Sequence, residues 1–128
     1  YRSLRVIHNT VIATDSSAFW FAAVPSDRPP PSDCIAANNV LMEAKTSHFG
    51  NLSAWVLESN AWVNAEVPAW AGSSNASVSL TAGTVGEAGD VQAWAALAGK
   101  GISGTGITTD YLCQSRSPDT PTRGAFEK

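Results

Sequence analysis

Apolar and polar positions repeat in three short segments: Val6-Ile-His-Asn-Thr-Val11, Ile35-Ala-Ala-Asn-Asn-Val40 and Leu57-Glu-Ser-Asn-Ala-Trp62. Relative to Asn9, Asn38 and Asn60, an apolar residue stands at −3 and another at +2 each time. The second interval is 22 residues and the first is 29; the excess holds the proline-rich insertion Pro25–Asp33. A unit of this length cannot bury its own apolar face and must stack on a neighbour. It reads as strand, corner, strand. Asn suits the corner because it tolerates left-handed backbone and bonds locally. Stacked corners put Asn9, Asn38 and Asn60 in an amide ladder, with Val6, Val11, Ile35, Val40, Leu57 and Trp62 pointing inward.

The remaining pattern fills in other elements. Ala18–Val24 is a continuous apolar strand, and Lys45–Gly50 a connection. Leu52–Val56 and Ala61–Val63 are strands of the third unit. Ala76–Ala82 alternates, with Val78 and Leu80 inward. Asp90–Gly99 is the one helical segment, with Asp90 as N-cap and Gly99 as the C-terminal stop. Residues 1–65 thus read as stacked coils and 66–128 as a last coil with a cap, in one continuous domain.

At this point the chain resembles the right-handed parallel β-helix repeat proteins. Their coil pattern (apolar, any, Asn, Asn, any, apolar) is matched best at Ile35–Leu41. The tail, Asp110-Tyr-Leu-Cys-Gln-Ser-Arg116 followed by Gly124-Ala-Phe-Glu127, is similar to the closing segment of secreted, pectate-lyase-like members. Here Cys113 stands where that segment has Gly, and Ser117–Arg123 lengthens the spacer. The resemblance implies an all-β solenoid, export from the cell and a disulfide between Cys34 and Cys113. Such a bridge would stabilise the chain by roughly 4 kcal/mol. The resemblance also implies a surface, adhesion or extracellular-assembly role. The rival readings are the non-catalytic end of a polysaccharide lyase or glycoside hydrolase, and a carbohydrate-binding β-sandwich.

Composition narrows the partners. With 128 residues and 44% apolar content the chain supports one core. A net charge of −3 gives no case for nucleic acid or an anionic membrane. No run approaches the roughly 20 apolar residues of a membrane helix. The pattern opens almost at Tyr1 without an initiator Met, which reads as a processed piece of a longer secreted or cell-surface protein. Upstream sequence or another chain, including a second copy, is then expected to stack on the first coil.

Candidate chemistry is sparse. His8 and His48 lack zinc-like spacing, and no cofactor is expected. Glu43 and Glu58 are the only carboxylates on coil strands, flanking different corners, so no catalytic residue is assigned. Arg116 and Glu127 read as a buried ion pair sealing the last coil. Trp70 and Trp20 are the candidates for stacking on a sugar. Asn51-Leu-Ser53 and Asn75-Ala-Ser77 match the glycosylation sequon.

Overall fold

The computed structural model describes residues 1–12, 17–42, 46–79 and 97–127. Its chain makes repeated passes through the same strand directions. The first pass contains β1 (Arg5–Ile7), β2 (Thr10–Ile12) and β3 (Ser17–Phe21). The second contains β4 (Cys34–Ala37), β5 (Val40–Met42) and β6 (Thr46–Phe49). The third contains β7 (Trp55–Glu58) and β8 (Ala61–Val63), and β9 (Ala76–Val78) starts a fourth. The strands pair pass upon pass into three sheets, β1-β4-β7, β2-β5-β8-β9 and β3-β6, and every strand pairing is parallel. The architecture is therefore all-β with parallel sheets. An antiparallel sandwich is not this arrangement; the one antiparallel contact among the described residues is the isolated Thr109–Ser115 bridge.

Two features differ from the sequence pattern. The Lys45–Gly50 connection contains strand β6, which pairs with β3. Leu52–Ala54 is a 3₁₀ turn, so the third pass begins its strand only at Trp55. Apart from the turn at Leu97–Gly99, the expected helix Asp90–Gly99 lies outside the described residues, as do Leu80 and Glu43.

Register in the second pass is shifted by one residue from the expected alignment. Val6 pairs with Ala36 and then Leu57, and Val11 with Leu41 and then Trp62. Because side chains alternate along a strand, one step exchanges the faces. Ile35 accordingly sits in line with the exposed Arg5 and Val56 on an outward face. Val40 aligns with Thr10 and Ala61 and packs with Met42, Val63, Val78 and Leu97. It is fully buried beneath the tail. Two further apolar groups, Cys34, Ala36, Trp55 and Val6 in one and Leu41, Trp62 and Ala71 in the other, are joined by Phe19, which packs against both. Among the six positions expected to point inward, Val40 and Trp62 are buried, and Val6, Val11, Ile35 and Leu57 are half-buried.

The tail, expected over the end of the last coil, runs instead along the flank of the first three passes. Ala125 N–H donates to Thr10 Oγ1 (2.9 Å), Gly124 N–H to the Asn38 carbonyl (2.6 Å), and Ser59 Oγ to the Lys100 carbonyl (2.8 Å). It thereby lies against the outer face of the β2-β5-β8-β9 sheet at Thr10 and Val40. No described helix is long and apolar enough to cross a membrane.

Candidate functional site: the asparagine ladder and the docked tail

An amide ladder does run along one corner, but through Asn9, Asn39, Asn60 and Asn75. Each Nδ2 donates to the Oδ1 of the next: Asn9 to Asn39 at 3.0 Å, Asn39 to Asn60 at 2.8 Å, and Asn60 to Asn75 at 2.9 Å. The backbone N–H of each donates to the same oxygen. The second hydrogen of each amide turns back to a strand carbonyl, Val6 for Asn39 and Ala36 for Asn60. Asn39 and Asn60 are buried with these groups satisfied, which is how polar groups survive in a core.

Asn38 is therefore not a rung. It holds the preceding position, the left-handed corner, with His8 and Ser59 in the adjacent passes (φ 56°, 55° and 55° for His8, Asn38 and Ser59). The Asn-Asn pair made either assignment available in the sequence. The dipeptides Ser59-Asn60 and Ser74-Asn75 were the signal that separates corner from rung, and they also locate the fourth rung.

The two ends of the ladder differ. At Asn75 the amide is closed off: Nδ2 donates to the carbonyls of Ala71 (2.6 Å) and Leu57 (3.1 Å). Glycosylation at that sequon would replace one of these two hydrogens and break its bond. At Asn9, Oδ1 accepts no bond from any described residue, and the side chain is exposed.

The corner row is the seat of the tail. Asn38 Oδ1 accepts from Ile102 N–H (2.8 Å), and Asn38 Nδ2 donates to the Ile102 carbonyl (2.9 Å). Arg123 Nε donates to Ser59 Oγ (3.1 Å), and Arg5 Nη1 to the Thr105 carbonyl (3.2 Å). The approach is close enough to require glycine. A Cβ on Gly101 would lie 2.6 Å from the Pro121 carbonyl oxygen, and one on Gly124 2.7 Å from Thr10 Oγ1. Gly124 also has φ of 92°.

The tail is folded on its own charges. Arg116 and Glu127 form the expected buried ion pair (3.1 Å), with side chains 2% and 8% exposed. The same guanidinium donates to the carbonyls of Thr109, Thr122 and Gly124. This satisfies a buried cation by bonds as well as by charge. Asp110 accepts from the N–H groups of Leu112, Gln114 and Glu127. Burial pushes its pKa up, but those three N–H groups, with Arg116 behind them, bring it below the ordinary carboxylate value. Burial lowers the pKa of Arg116 and Arg123 without threatening their charge.

The other sequence candidates do not converge. Cys34 and Cys113 are both free thiols: Cys34 is buried beside Ala36 and Trp55, and Cys113 is exposed on a left-handed turn of the tail. The pairing implied by the resemblance is thus not made. Trp70 is 37% exposed and meets Trp62 edge-on at 6.5 Å. The Trp20 and His48 side chains lie outside the described residues, and so does Glu43, leaving Glu58 without its candidate partner. An open groove lies between Tyr1, Phe21 and the proline-rich loop near Arg28. Among the described residues no three His, Cys, Asp or Glu side chains gather into a metal site. Comparison with protein-family models, curated proteins and solved structures found no match to this chain.

Proposed function

We propose that the chain is part of a right-handed parallel β-helix, serving as a secreted or cell-surface structural module whose first pass receives another coil. Parallel pairing over successive passes supports the solenoid, and crossovers between parallel strands are right-handed almost without exception. The observation that carries the assembly role is the asymmetry of the ladder. It is closed at Asn75 by the Ala71 carbonyl and offers a bare acceptor at Asn9, in line with the N–H and Nδ2 of a further rung. Strands β1 and β2 are paired on one edge only among the described residues, and an open edge of this kind templates another strand. Upstream sequence or another chain fits that edge; a second copy stacking head-to-tail would give a filament. The extracellular placement follows the resemblance of the coil and tail motifs.

Light scattering at micromolar concentration tests this. A discrete complex or filament that dissociates when Asn9 is replaced by Leu supports the reading. A monomer in which the residue 4–12 amides exchange as freely as an unpaired edge, with Asn9→Leu changing nothing, sinks self-assembly. A different stacking partner is then tested by adding the candidate chain or segment and reading protection of the same amides. The carbohydrate-active alternative has the part-exposed Trp70 in its favour. Oligosaccharide titration that quenches tryptophan emission in the wild type but not in Trp70→Ala would select it.

A further inference from the structure

We propose that His8 is the pin of an acid-sensitive latch: protonating its ring releases the tail, residues 101–127, from the flank of the strand passes and uncovers Val40 on the outer face of the β2-β5-β8-β9 sheet. The latch goes beyond the assembly reading and does not depend on it.

The bonding around the ring dictates its protonation state. Ile102 N–H fixes Asn38 Oδ1, so the Asn38 amide nitrogen faces His8 Nε2, 3.2 Å away. One hydrogen of that nitrogen serves the Ile102 carbonyl and the other serves His8. Nε2 must therefore keep its lone pair. A proton there would set an N–H against an N–H and leave only the Thr105 hydroxyl (3.3 Å) to receive it. The neutral ring then carries its hydrogen on Nδ1, which is buried without a hydrogen-bond partner. His8 itself is 5% exposed.

The surrounding charges oppose a second proton. On the tail, Arg116 repels it, while Glu127 attracts it but is engaged by Arg116. On β1, Arg5 reaches the Thr105 carbonyl, and on the next corner Arg123 lies against Ser59. The carbonyls of Thr122 and Gly124 face the ring and favour the cation, but neither is in bonding geometry with Nδ1. Burial first, and Arg116 second, lower the His8 pKa from 6.5 to about 4. A lowered value on a base means that the released state binds the proton more tightly. Docking is thus intact above about pH 6.5 and is lost progressively as pH falls towards 4.

Release affects the tail rather than the passes because the joints that His8 touches belong to the tail. Asn38–Ile102, His8–Thr105 and Gly124–Asn38 are all on the corner row, whereas the strands are held by their own pairing and by the amide ladder. Losing the tail would open Val40, which is fully buried and lies directly under Gly124.

Hydrogen exchange, corrected for intrinsic rates, tests the latch in the whole chain between pH 7 and 4. Opening of the tail amides is expected to rise roughly tenfold per pH unit below 6.5, about a hundredfold in all, while the amides of β4, β5 and β8 stay protected. His8→Asn keeps a residue suited to the left-handed corner and removes the titrating group, so its tail should stay closed over the same range. A wild-type tail that stays closed at pH 4 overturns the latch. So does opening of wild type and His8→Asn together, or tail and strands exchanging as one unit. If the variant does not fold, the His8 ring resonances of the wild type decide. Titration below pH 5 in step with tail opening supports the latch, and an ordinary imidazole titration near 6.5 overturns it.

Discussion

The ladder and the tail are fastened to neighbouring rows of the same corner, yet they hold by different means. The ladder repeats one self-complementary group, so each Asn satisfies the next and the same contact recurs along the passes. The tail uses single, unlike contacts: a buried ion pair, a carboxylate wrapped by N–H groups, a neutral histidine and two glycines at closest approach. A periodic device tolerates an end, because the last rung is merely unpaired. A device of unlike parts has no equivalent spare, and each part fails on its own terms.

The largest expected effect breaks the ladder at its middle. Asn39→Ala would leave Asn9 N–H and Nδ2 without their acceptor and take one donor each from the Val6 carbonyl and Asn60 Oδ1, which keeps only the residue 39 N–H, costing about 3–5 kcal/mol in denaturant unfolding. Asn9→Ala, at the open end, should cost under about 1 kcal/mol; equal losses would dissolve the distinction between rung and end. Next comes Arg116→Ala, which strands Glu127 and three carbonyls and should destabilise tail docking by about 3 kcal/mol, read as tail-specific proteolysis. Gly124→Ala should follow at about 1–3 kcal/mol, because its Cβ meets Thr10 and Val40 at a positive φ. A crystal structure of that variant should show the tail lifted and the passes unchanged. The smallest effect separates the two faces of the second pass. Val40→Ala should cost about 1–3 kcal/mol and Ile35→Ala under about 1 kcal/mol, since Val40 is fully buried in an apolar cluster and Ile35 only half-buried. The reverse order would restore the unshifted register. Independently, thiol titration of the unreduced, denatured chain should find both Cys34 and Cys113 free.

Acid pH adds a direction to the comparison. His8 has a lowered pKa, so its contribution is present above about 6.5 and fades as pH falls towards 4. Asp110 is also lowered, and its contribution fades only below the ordinary carboxylate value of 3.8. The two losses therefore come in sequence, the histidine first.

What was legible in the amino-acid order is what recurs. The Asn-centred pattern reports strand, corner and strand in three passes, and the tail's Arg116 and Glu127 report a buried ion pair, because residue type and motif constrain such local devices strongly. One-residue register was not legible at Asn38-Asn39, since either amide can stand in a ladder. Ser59 and Ser74, each one place before a rung, show which Asn was which only once the passes are stacked. Nor could spacing indicate where the tail lies. Its seat depends on the outer face of one sheet, on Gly101 and Gly124 fitting against the corner, and on Asn38 being free of the ladder to bond Ile102. Those are contacts between residues about 60 or more apart in the chain. A local pattern has no term for that separation, so only the tertiary structure decided them.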